Sequence, residues 1–293
     1  MAQAEREARE LLAKADKRAS HTGWFGGNKY DEAAELYGRA ANQFKLAKLW
    51  KEAGDAFFRQ ADMQMRLQER DEAAPTFVAA SKCYKKCNPE DAVSALKMAI
   101  EILTERGRFH AAAAHQKEIA QIYEADLINV EGAMQAYQLA ADWYGGEEAT
   151  AQANACLLKV AEFAAQLEQY ERAIEKFEQV AQANVDNQLT KWSLKDYFLK
   201  AGLCHLCAGD TVGLRRALEC YQDMDPTFSG TREFKFLQAR WRAPNLAEAV
   251  DAGDVEHFTS HVVDYDHLTK LDPWKTSILL RVKKAINEEP ALM

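Results

Sequence analysis

Two groups of residues have the types and spacing that could do chemistry. Cys204-His205-Leu206-Cys207 is a CxxC pair, and His257 and His261 stand four residues apart with His267 and several aspartates behind them. A CxxC can hold zinc or run thiol–disulfide exchange, and two histidines one helical turn apart can share a metal. A structural zinc needs four placed ligands, and no second CxxC exists to supply them. The CxxC also falls within a helical pattern, so its thiols read as reduced core residues, as do Cys83, Cys87, Cys156 and Cys220. The histidines read as polar residues on an acidic helix. The chain has no GxxxxGK[ST] phosphate loop, no GxGxxG, no HExxH and no GxSxG. It is therefore read as a non-enzyme without metal, cofactor or small-molecule substrate. If it takes part in work that needs energy, another protein must hydrolyse the nucleotide.

Charge is the remaining chemical signal. The formal net charge is −8, which gives no basic excess for nucleic acid. Its distribution is uneven. Glu248, Asp251, Asp254, Glu256, Asp264, Asp266 and Asp272 face only Lys270 within 245–272, while Lys275, Arg281, Lys283 and Lys284 follow without an acid. An acidic block beside a basic helix can dock charged partners, or can simply be solvated.

These residues must be positioned by helices. From Tyr30 to Tyr221 an apolar-plus-alanine pattern recurs about every twenty residues, as in YDEAAELYGRAANQF, WKEAGDAFFRQADMQM and RDEAAPTFVAASKCY. Ala33, Ala53, Ala73, Ala92, Ala111, Ala133, Ala153 and Ala173 mark the units. One helix plus one turn fits that period, so two units make a hairpin and the hairpins must stack to bury their apolar faces. Tyr37, Phe44, Phe57, Phe77, Tyr84, Tyr123, Tyr137, Trp143 and Phe177 are the expected fillers. Breaks are expected at Asn88-Pro89, Gly107, Gly145-Gly146 and 184–190. The predicted fold is all-α, a tetratricopeptide-like right-handed helical solenoid with a C-terminal helical bundle. Residues 1–29 supply an amphipathic helix and a glycine-punctuated loop, 30–226 the hairpin solenoid, 227–286 a helical cap and 287–293 a tail. No run of eighteen apolar residues and no secretion signal is present.

The loop HTGWFGGNK sets Trp24 and Phe25 between glycines, outside any helical period. Such rings either fold back onto the first hairpin or insert into something apolar.

Several long segments carry a family resemblance. AAQLEQYERAIEKFEQV, KDYFLKAGLCHLCAGD and LDPWKTSILLRVKKAI, with GGNKYDEAAELYGRAANQFKLAKLW and GEEATAQANACLLKVA, resemble the alpha branch of the soluble NSF attachment proteins across essentially the whole chain. One departure is RWRAPNLAEAVDAGD, a few residues longer than the family pattern. The resemblance implies a cytoplasmic, peripherally membrane-associated adaptor. It would hold an assembled SNARE four-helix bundle on a basic concave face and recruit and stimulate the hexameric ATPase NSF. Lys85, Lys86, Arg108, Lys159, Lys195 and Arg232 match the family's SNARE-binding positions, whereas two further basic positions are Ala114 and Ala155 here. Trp24 and Phe25 match its membrane-contacting loop. The penultimate Leu292 matches the family's ATPase-stimulating leucine, and the acidic Glu248, Asp251 and Asp254 on the cap are expected to contact NSF. Reversing Lys159 and Lys195 to Glu is expected to weaken SNARE binding and leave the fold intact. The alternative is a tetratricopeptide-like scaffold for a different protein or peptide partner.

Overall fold

The structure is a computed structural model that describes residues 2–20, 29–187, 189–238 and 246–288. Among these residues there are helices and turns but no strand. They form two compact units, Met1–Ala153 and Asn154–Met293.

In the first unit, α1 (Ala2–Ser20), α2 (Lys29–Leu46), α3 (Trp50–Arg66), α4 (Arg70–Tyr84), α5 (Pro89–Glu105), α6 (Phe109–Ala125) and α7 (Val130–Gly146) each pack on their neighbours in sequence. Helix α8 (Thr150–Gln166) runs through the division. Alanines sit where the helices cross: Ala33, Ala53, Ala73, Ala92 and Ala133 are fully buried. Small side chains let the backbones approach, and Phe44, Phe57, Phe77, Tyr84 and Tyr137 fill the space between crossings. The sequence phase slips by one in α6, where Ala112 and Ala113 are buried and Ala111 is only half-buried. Tyr123 and Trp143 are likewise half-buried, and Tyr144 takes the core place expected of Trp143.

The twenty-residue period has a backbone cause. Lys48, Gln68, Gly107, Ile128, Glu148, Glu168, Gly209 and Gly253 all have positive φ, and each ends a helix. The next residue's amide then donates back to a carbonyl of the last turn: Leu49 to Phe44 at 3.0 Å, Glu69 to Gln64 at 2.9 Å, Arg108 to Leu103 at 2.8 Å and Gln169 to Ala164 at 2.8 Å. One left-handed residue reverses the chain and satisfies carbonyls the helix leaves open. Gly145 and Gly146 are not a break, because α7 continues through them and Glu148 makes the turn. At α4–α5 the device differs. Asn88 caps α5, its side chain accepting from the Asp91 amide at 3.3 Å, with Pro89 in the first turn.

In the second unit, α9 (Tyr170–Asn184), α11 (Thr211–Met224), α12 (Arg232–Leu237) and α15 (Pro273–Glu288) pack on α10 (Leu194–Cys207). Helices α13 (Leu246–Asp251) and α14 (Val255–Leu268) complete it, with α15 on α14. Phe198 of α10 stacks on Tyr221 at 4.4 Å and meets the edge of Phe228 at 4.9 Å. Cys204 is buried and Cys207 donates its thiol to the Ile278 carbonyl at 3.5 Å, so both are packing residues. Burial pushes the Cys207 thiol up to about 12. Cys87 and Cys220, expected in the core, are exposed.

Candidate functional site

The basic residues singled out by sequence fall into two groups, one in each unit. In the first, Lys85 and Lys86 are exposed in the turn after α4, where the Lys85 amide closes the helix onto Ser81 O at 2.8 Å. Lys86 Nζ lies 3.6 Å from the centre of the Trp50 ring, a cation–π contact that fixes the ammonium at the turn. Arg108 is exposed at the residue preceding α6. The seventeen-residue α5 separates the two places, a span of roughly 25 Å at 1.5 Å per residue. They are two separate exposed places rather than one pocket.

In the second unit Lys195 is paired with a carboxylate on the residue next to Arg232. Lys195 Nζ lies 3.1 Å from Glu233 Oε1, and Glu233, on α12, is only 7% exposed. Arg232, next to it, donates to the Leu268 carbonyl at 3.0 Å and so closes the C-terminus of α14. Lys159 on α8 lies 4.0 Å from Glu162 Oε2 and 5.8 Å from the Phe163 ring. Each of these three cations is therefore held by contacts within the fold. This bears on charge reversal: Lys195→Glu would set a second carboxylate against buried Glu233 and so strain the fold.

Residues that the sequence reading passed over lie shortly before Lys195 in the chain. Leu189 and Trp192, in the connector before α10, are 90% and 83% exposed, and Lys191 between them lies 3.8 Å from Asp225. The signal was present in TKWS, a large aromatic residue in an otherwise polar connector. An exposed apolar pair among cations suits a partner whose surface is acidic with apolar gaps.

The acidic positions are also structured. Asp254 caps α14, accepting from the His257 amide and pairing with His257 Nδ1, both at 3.0 Å. These bonds hold the Asp254 carboxyl below the usual aspartate range. Asp251 accepts from Arg215 at 2.7 Å. Glu248 lies on α13, with its side chain outside the described residues. Trp24, Phe25 and Leu292 also lie outside the described residues. His257 is thus a capping partner, and among the described residues no three His, Cys, Asp or Glu gather to hold a metal. Among the described residues no helix is long and apolar enough to cross a membrane.

A charge network joins α8, α10 and α15. Lys200, whose side chain is 12% exposed, donates to Glu162 Oε1 at 2.8 Å and lies 3.4 Å from Asp196 Oδ2. Burial opposes its charge, yet Glu162 and Asp196 outweigh it and hold the ammonium above the usual lysine range. Lys275 bonds Asp196 from the other side and reaches Asp272 at 3.1 Å. Burial likewise opposes the Asp272 charge, but the Lys275 amide and ammonium keep its carboxyl below the usual aspartate range.

Comparison with known proteins gives this arrangement a family. The family profile described as "Soluble NSF attachment protein, SNAP" matches residues 6–287. The chain is 48% identical to the beta-soluble NSF attachment protein of Bos taurus, covering 96% of this chain and 94% of that one. It is 46% identical to the alpha-soluble NSF attachment protein of Vitis vinifera, covering 94% and 93%. It is 44% identical to the probable vesicular-fusion protein sec17 homologue of Schizosaccharomyces pombe, covering 95% and 96%. Among solved structures, a STAND ATPase with a tetratricopeptide repeat sensor from Pyrococcus horikoshii matches with a TM-score of 0.50 at 15% identity. That match covers 96% of this chain and 44% of that one, and is a likeness of fold. The chain belongs to the soluble NSF attachment protein family.

Proposed function

We propose that the chain is a non-enzymatic adaptor of vesicle fusion, which grips an assembled SNARE four-helix bundle and recruits and stimulates NSF to take it apart. The observation that carries this reading is the group at the start of α10. There Lys195, set on Glu233, shortly follows the exposed Leu189 and Trp192 in the chain. Lys159, Arg232, Lys85, Lys86 and Arg108 add cationic contacts. A four-helix bundle with an acidic surface offers carboxylates at helical spacing and apolar gaps between them, which fits such a mixture. Nucleotide hydrolysis then belongs to the partner ATPase, in keeping with the absence of a phosphate-binding loop from the sequence. Asp251, Asp254 and Glu248 would hold that ATPase, and Leu292 would activate it. Trp24 and Phe25 would touch the membrane in which the SNAREs are anchored, placing the adaptor at cytoplasmic membrane surfaces.

The test is capture of an assembled SNARE bundle, then of NSF upon it, followed by ATP turnover. Leu189→Ser with Trp192→Ser should leave the melting temperature unchanged, because both side chains are already in water, and should lose capture. Leu292→Ala should keep capture and lose stimulation. A folded wild-type chain that captures no SNARE bundle refutes the proposal and favours a scaffold for another partner.

A further inference from the structure

We infer that the charge network Glu162–Lys200–Asp196–Lys275 is a positioning link, fixing α15 to the helices that carry Lys159 and Lys195 and so coupling partner capture at those lysines to the action of the chain end. The coupling rests on the function proposed above; the link itself does not. Helix α15 is fastened to α8 at three places. Trp274 Nε1 donates to Glu162 O at 3.1 Å, while Arg281 donates to Ala165 O at 3.0 Å and to Gln166 O at 2.9 Å. The arginine thereby adds donors to the last carbonyls of α8, one of which, Ala165 O, also accepts from the Glu168 amide at 3.1 Å. The Trp274 ring also meets the edge of Phe177 on α9 at 5.7 Å.

The network lies directly behind the partner-facing cations. Glu162 turns Oε2 toward Lys159 and Oε1 toward Lys200. Asp196, the residue after Lys195, turns Oδ2 toward Lys200 and Oδ1 toward Lys275. Every carboxylate is thus shared between two ammonium groups. A partner that draws Lys159 off Glu162 changes what Lys200 is paired with, and Lys200 shares Asp196 with Lys275 of α15. The apolar face of α15, Ile278, Leu279, Val282 and Ile286, is buried independently of these charges. Apolar packing sets which face is down but is non-directional, whereas charged hydrogen bonds set register along the axis. The network, together with the Trp274 and Arg281 bonds, therefore sets how α15 is held along its axis rather than whether the unit folds.

Lys275 is the residue to change, since it touches neither Lys159 nor Lys195. In the full chain, Lys275→Gln should lower the melting temperature by less than about 5 °C. It should leave capture of an immobilised SNARE bundle unchanged, while amide exchange along α15 quickens by about tenfold. NSF turnover on the captured bundle should fall below half of wild type, and Lys275→Arg should restore both readouts. Unchanged α15 exchange overturns the link. Full stimulation despite faster exchange overturns the coupling, as does a parallel loss of capture and stimulation, which would mark general destabilisation. A wild-type chain that captures no bundle sinks the functional reading and the coupling with it, while the exchange measurement still decides the link.

Discussion

Replacing Lys195 separates what this residue does for the fold from what it does for a partner. Its ammonium lies 3.1 Å from a carboxylate on a residue only 7% exposed. The gross attraction at that distance is about 5 kcal/mol for an effective dielectric near 20. Lys195 itself is nearly half exposed, at 45%, so water screens much of this and the net worth of the pair is about 1–2 kcal/mol. Lys195→Glu does more than remove the pair, because it leaves Glu233 buried against a like charge. The expected loss is about 3 kcal/mol, from the uncompensated carboxylate and the added repulsion together. For a chain of this size that is a fall of roughly 5–10 °C in melting temperature. Lys195→Gln with Glu233→Gln removes both charges and should melt within about 3 °C of wild type. It should nevertheless bind the SNARE bundle about fivefold more weakly, for one lost charge contact near 1 kcal/mol. Thermal denaturation at pH 7 and titration onto immobilised bundle at two salt concentrations measure both. A Lys195→Glu chain as stable as wild type refutes the buried pairing, and a doubly neutral chain with wild-type affinity at low salt removes Lys195 from the interface.

Other substitutions probe the helices and the loop. Gly54→Ala places a Cβ 2.5 Å from the Tyr84 ring, which Asp55 holds by a hydrogen bond at 2.8 Å, and should cost about 1–3 kcal/mol in denaturant titration. Ile128→Gly relieves a β-branched residue with φ of 51° that is 74% exposed, and should stabilise by roughly 0.5–1 kcal/mol in the same titration. Trp24→Ser with Phe25→Ser should slow disassembly of liposome-anchored SNARE complexes and spare soluble ones, whereas equal loss in both assays would indicate a folding defect instead. Acid should loosen the start of α15: the depressed Asp272 carboxyl contributes stability above its ordinary value of 3.8, and that contribution is lost as pH falls through its lower folded value. Circular dichroism of wild type against Asp272→Asn below pH 4 reads this out.

The helical class was legible because burial imposes alanine at each crossing, and Ala33, Ala53 and Ala73 mark those crossings in any reading of the chain. What periodicity leaves open is which residue makes each turn. Glu148 reverses the chain after α7 although Gly145 and Gly146 stand just ahead of it, since helix can continue through both glycines when packing favours it. Partner-facing residues were legible only as charges. The sequence holds Lys195 and Glu233 thirty-eight positions apart, and only the packing of α12 on α10 shows that one neutralises the other. Trp192 was hidden by its neighbours, because an aromatic residue in a connector carries no period that could say whether it faces core or water.

The turn geometry also constrains how such a chain can change its length. Most of the reversals depend on one residue held in the left-handed region at a fixed distance from the helix before it, and the turn between α4 and α5 on the Asn88 cap. A single residue inserted within α5 would rotate everything beyond it by about 100°, turning buried alanines outward. Lineages can therefore lengthen or shorten the stacked part only by whole helical hairpins. Small insertions and deletions should collect in segments outside that register, such as the connector before α10, so alignments of relatives should show gaps there and unbroken blocks between Lys48 and Glu168.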